Sequence, residues 1–264
     1  MLETNPFSIL AETVSPFAMQ SFIIAMILLI AFGTIIQMIH HKNLTYFLNN
    51  AKKAKLQATR EIGTGERVSI LAKTAVVDIG TTSELGFGKR RLSHVLGMYG
   101  TIIFWLSSAM LIFCYTGADK SSSSMWSMLW HIGAILTCIG GYWFWLFLRV
   151  DVLAEAHPWY RIIKADLFVL ALLACATFGL AWSYTQHSGM ISLSYLFLIL
   201  YIVSNLILFG GVYWSKFAHM FYKPGAAIQK NLAEADGSRD NLPPPADAPE
   251  QFGLGIKREQ PKHY

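Results

Sequence analysis

Five apolar runs decide what this 264-residue chain can fold into: about 18–39, 95–115, 126–148, 165–183 and 191–213. An α-helix rises about 1.5 Å per residue, so each run is long enough to cross a hydrocarbon core of about 30 Å. Open strands would leave backbone N–H and C=O groups unsatisfied in lipid, which leaves helices as the only spanning form. The pattern predicts an all-α integral membrane protein with five transmembrane helices. Only 14% of the residues are charged, against about 25% in a typical soluble domain.

Lysine and arginine orient the predicted bundle. Twenty of the 21 fall in 40–94, 149–164 and the segment after 214, and Lys120 stands alone on the other side. Basic residues accumulate on cytoplasmic connections, so the N-terminus is expected outside and the C-terminus in the cytoplasm. The net charge of +5 follows from this placement and gives no reason to expect nucleic acid as a partner. No Lys or Arg precedes the first run, unlike a cleavable signal peptide, so that run reads as a retained helix. Tryptophans 126, 130 and 182 are expected in an outer aromatic belt, and 143, 145, 159 and 214 in an inner one.

Residues 1–230 read as one membrane domain carrying a cytoplasmic basic loop at 40–94. Within the loop, 43–60 reads as an amphipathic surface helix with a stripe of Lys52, Lys53, Lys55 and Arg60. That stripe suits anionic lipid headgroups or a soluble partner. Residues 231–264 contain Pro243, Pro244, Pro245 and Pro249 and read as an extended, disordered tail. Glycine-rich stretches at 63–65 and 86–88 lack phosphate-loop spacing. Cys114, Cys138 and Cys175 stand singly within spans, which offers neither an iron–sulfur nor a zinc motif.

The histidines carry the remaining chemistry. A histidine at the membrane needs a reason, and ligation of haem iron is one. His94 opens the second span and His219 follows the fifth, both at the inner side, where they form a candidate ligand pair for one haem b. Gly97 and Gly100 would let a flat macrocycle approach the helix, and Arg90 and Arg91 would hold its propionates. Interfacial, hydrogen-bonded histidines are the alternative. A secondary pair, His131 with His187, lies on the outer side, with packing or quinone contact as its alternatives. A polar group in the third inner loop (Asp151, Glu155, His157, Arg161, Lys164) is a candidate quinone contact or an ordinary charged loop.

Three stretches carry a family resemblance: 4–8 (Thr-Asn-Pro-Phe-Ser), 50–55 (Asn-Ala-Lys-Lys-Ala-Lys) and 89–94 (Lys-Arg-Arg-Leu-Ser-His). The ending 215–224, Ser-Lys-Phe-Ala-His-Met-Phe-Tyr-Lys-Pro, carries it further. With these the chain resembles the membrane anchors associated with adenylylsulfate reductase (the AprM type). More distantly, it is similar to the haem b gamma subunits of respiratory nitrate reductase and their relatives in sulfur metabolism. The resemblance implies a prokaryotic cytoplasmic-membrane subunit, not itself catalytic. Such a subunit passes electrons between a cytoplasmic flavin and iron–sulfur oxidoreductase and membrane quinone. The diheme gamma subunits carry further histidines where this chain has Phe104 and Tyr201, so one haem is expected rather than two. A haem-free structural anchor is the rival expectation. A transporter or channel ranks below both, because no span has Asp, Glu or Lys near its centre.

Overall fold

The computed structural model describes residues 1–40, 42–86, 88–116, 124–149 and 160–238. Its helices, in chain order, are α1 (Pro6–Leu10), α2 (Pro16–His40), α3 (Asn43–Leu56), α4 (Thr64–Lys73), α5 (Lys89–Cys114), α6 (Ser124–Leu148), α7 (Leu167–His187), α8 (Ile191–Gly210) and α9 (His219–Ala235). Five of them, α2, α5, α6, α7 and α8, are long and apolar enough to cross a membrane, in close agreement with the sequence runs. The chain is a multi-pass membrane protein. Its spans expose large apolar side chains such as Phe32, Ile36, Leu106, Ile139 and Ile199, a surface that lipid can cover and water would oppose.

The chain forms two compact units: Met1–Gln37 with Leu92–Ala218, and Met38–Arg91 with His219–Tyr264. In the first, α7 is the most enclosed span, with 39% of its apolar window buried, whereas α2, at 6%, is peripheral. The helices α5 and α6 meet backbone to backbone. A Cβ added to Gly100 would lie 2.5 Å from Thr137 N, and one added to Gly133 would lie 2.5 Å from Phe104 N. Small residues permit this approach, and it is sealed by polar contacts: Ser93 Oγ donates to Gly140 O (2.7 Å), and the hydroxyls of Thr101 and Thr137 stand 3.3 Å apart.

One end of this unit is closed by the N-terminal segment. Asn5, 1% exposed, caps α1 by accepting from Phe7 N (3.0 Å), and its Nδ2 donates to Tyr115 O (3.2 Å). Phe7 then sits edge-on to Trp130 (5.8 Å) and Trp182 (5.4 Å). Trp130 and Trp182 are 0% and 1% exposed, so their rings face the bundle core rather than its outside. Their rings fill the space between spans, and Trp130 Nε1 finds its partner inside, donating to Ser108 Oγ (2.9 Å).

In the second unit the helix expected at 43–60 is present as α3 but ends at Leu56, so Arg60 of the expected stripe lies beyond it; Ala54 is buried and Lys52, Lys53 and Lys55 are exposed. After α4 comes a π-helical stretch, Thr74–Gly80. The chain stays helical beyond residue 231, where the tail was expected to begin, because α9 is amphipathic and Asn231 is anchored. Asn231 Nδ2 donates to Thr74 Oγ1 and to Asp78 Oδ2, both at 2.7 Å. Arg60 Nε donates to Ala235 O (2.5 Å) at the C-terminal end of α9, where a cation complements the helix dipole. The prolines of the expected tail lie outside the described residues.

The hydrogen bonds from Ser83 and Asn231 hold the Asp78 carboxyl below its ordinary range. Its contribution is therefore present above about pH 4 and is lost as pH falls through the lowered value. Asn231→Ala is expected to cost about 1 kcal/mol at neutral pH, below the usual range for a hydrogen bond to a charged group because the site is partly solvated. The cost shrinks in acid. Hydrogen exchange of the α9 amides, compared at pH 7 and pH 3 and corrected for intrinsic rates, measures both.

Candidate functional site

The α5 face that meets α6 carries Ser93, Gly97, Gly100 and Phe104, one or two turns apart. His94, one residue beyond Ser93, is rotated away from that face and is exposed. Arg90 is exposed as well. Arg91 is engaged locally: Nε donates to Thr81 O (2.8 Å) and Nη2 to Thr81 Oγ1 (2.7 Å). His219 is the half-buried first residue of α9, directly after the buried Phe217 and Ala218. His94 belongs to the first unit and His219 to the second. Two imidazoles are a donor set that haem iron takes, and neither residue is buried within its own unit.

The glycines have another neighbour. Gly100 is covered by the α6 backbone at Gly133 O and Thr137 N, and Gly97 faces Gly140 and Gly141. The small-residue face that the sequence reading reserved for a macrocycle is where two helices touch. Small side chains serve close approach by any flat partner, and here the partner is a second helix.

Phe104 and Tyr201, the positions where the resemblance sets the extra family histidines, lie near each other with ring centroids 6.4 Å apart. Phe104 also packs on Trp130 (5.2 Å), and Tyr201 stacks on Trp182 (5.9 Å). An aromatic cluster occupies this part of the bundle. No protein-family model, curated protein or solved structure matches this chain. The likeness to the anchor family therefore rests on the residues quoted above.

The secondary pair has partners of its own. His131 is fully buried, with Nδ1 2.7 Å from Ser127 O and Nε2 2.8 Å from Ser183 Oγ. A carbonyl only accepts, so in the neutral imidazole Nδ1–H donates to Ser127 and Nε2 accepts from Ser183. His187 Nε2 stands 3.4 Å from the Met1 nitrogen. Of the polar group in the third inner loop, Arg161 and Lys164 are exposed, while Asp151, Glu155 and His157 lie outside the described residues.

A cavity of about 410 Å³ between α1, α2, α5 and α8 is the feature that the sequence reading missed. Ser108, Tyr201 and Asn205 supply polar groups to its otherwise apolar wall. The Trp105 indole N–H, also in the wall, is buried without a partner. Asn205 was the available signal: an amide in the middle of a span calls for an explanation as much as a charge does.

Proposed function

We propose that the protein is a membrane anchor and electron-transfer subunit, linking a cytoplasmic flavin and iron–sulfur oxidoreductase of the adenylylsulfate reductase kind to membrane quinone. The observation that carries this reading is the stretch 89–94 at the start of a spanning helix, ending in an exposed His94. His219 is its complement, and these two residues would hold haem b. When bound, that group supplies reversible one-electron chemistry. The chain's own part is to offer two imidazoles beside basic residues and to keep the group at the membrane. The basic asymmetry supports an N-terminus outside and a C-terminus in the cytoplasm, and the resemblance to the anchor family implies a prokaryotic cell. The exposed lysines of α3 would then meet the partner or anionic lipid.

A second reading, a haem-free anchor, is favoured by one observation: Gly97 and Gly100 are used for helix packing. A reduced-minus-oxidised optical spectrum of the detergent-purified protein separates the two. The expected result is a b-type spectrum that disappears in His94→Ala and again in His219→Ala. A featureless spectrum from haem-replete cells sinks the electron conduit and leaves the anchor.

A further inference from the structure

The cavity between α1, α2, α5 and α8 lies wholly within the first unit, and its size is that of a small-molecule site, about 300–1,000 Å³. Its wall is apolar along α2, where Met19 and Met26 contribute adaptable thioethers, and along α8 at Leu198 and Phe209. The polar groups are few and lie together. Ser108 Oγ donates to Phe104 O (2.8 Å) and accepts from Trp130 Nε1 (2.9 Å). Asn205 Nδ2 donates to Tyr201 O (2.8 Å). Both side chains are thereby held in place, and Tyr201 lines the same wall. An apolar chamber with one fixed polar cluster suits a molecule with an apolar tail and a compact head that makes hydrogen bonds.

Depth narrows the class. Tyr201 stands at the middle of the 23-residue span Ile191–Tyr213, about 15 Å from either end. A phospholipid keeps its charged headgroup at the interface and would bring only acyl chain to that level. A neutral head whose carbonyl oxygens accept hydrogen bonds enters the hydrocarbon at small cost.

We propose that this cavity binds a lipid-soluble quinone, its head at the donors of Tyr201 and Asn205 and its tail along Met19 and Met26. The proposal rests on the electron-transfer reading only for the choice of a redox-active head. At the opposite end of the chamber from Ile30, Phe7 and Leu10 of α1 close it, held there through Asn5.

The test uses the full-length protein in detergent and a short-tailed photoreactive azidoquinone, with peptide mapping of the label. Label is expected within 7–30, 105–112 or 198–209. The double variant Tyr201→Phe with Asn205→Leu is expected to weaken quinone binding about tenfold, the loss of one or two hydrogen bonds. Ala109→Phe, which fills the chamber, is expected to abolish it. Label confined to other segments, including 149–166, overturns the proposal and needs no variant. Unchanged affinity in the double variant also overturns it, because an apolar hole that takes acyl chains needs no polar head site. Labelling does not require haem. Cavity label with a featureless spectrum supports this site while removing the conduit, and a b-type spectrum without cavity label does the reverse.

Discussion

Gly140→Leu is expected to destabilise the membrane bundle by about 3 kcal/mol or more, at the upper end of what overpacking costs. Even a methyl group at this position would fall on Gly97 N and within 2.6 Å of Ser93 O. Both obstacles are backbone, so no side-chain rotation relieves the clash. Separating the helices would also stretch the Ser93–Gly140 hydrogen bond and expose a carbonyl to a medium without water. Gly210→Ala is the matched control: it is also a helical glycine in a span, but a Cβ there meets nothing within 4 Å. Alanine is the better helix former, so the control should melt at or above the parent. Thermal unfolding in one detergent, followed by loss of monodisperse elution, reads both. A Gly140→Leu protein with parental melting would mean that α5 and α6 do not touch.

Asp166→Ala is expected to cost about 3 kcal/mol, near the low end for removing one partner of a buried ion pair. Asp166 and Arg149 form a two-pronged pair whose side chains are only 13% and 11% exposed. The same carboxylate accepts from Ile163 N (2.9 Å), while Arg149 Nη2 also donates to Arg161 O (2.7 Å). The guanidinium lies 4.1 Å from the Trp145 ring centroid, which would keep it in place after the carboxylate is lost. The variant therefore leaves a buried charge with its strongest partner gone, and the ends of the connection between α6 and α7 lose their clasp. Trypsin offers a local readout, because Arg161 and Lys164 are exposed. Cleavage there should accelerate in Asp166→Ala and stay slow in Asp166→Glu, which keeps the charge. Equal cleavage in the parent and Asp166→Ala would show that the pair contributes nothing.

The five spans were legible in the residues because hydropathy over some 20 positions is a strong signal, and lipid admits few other structures. The surface helix at 43–60 was legible for a related reason, its alternation of alanine, lysine and apolar side chains. The end of α9 was not. Continuing the helix past 231 depends on Asn231 meeting Thr74 and Asp78, more than 150 residues earlier in the chain. Trp130 and Trp182 were assigned to an outer belt by residue type and by their place near the outer ends of spans, whereas Phe7 and the α5 side chains draw their rings into the bundle.

The candidate site divides in the same way. His94 and His219 stand out in the sequence because an imidazole next to an apolar run is chemically conspicuous. Asn205 stands out more weakly, as an amide within a span, and Ser108 and Tyr201 do not, since each is an ordinary residue until two helices bring them to one wall. Gly97 and Gly100 advertise close approach without saying by what, and packing supplied α6. The chain by itself determined the number of spans, their approximate limits and the places where histidines flank them, because those follow from local composition against a fixed membrane thickness. The tertiary structure alone decided which small faces are consumed by helix contact, which aromatic rings fill the core and where a cavity survives. Those are properties of residues distant in the chain, set by how side chains from different helices share one volume.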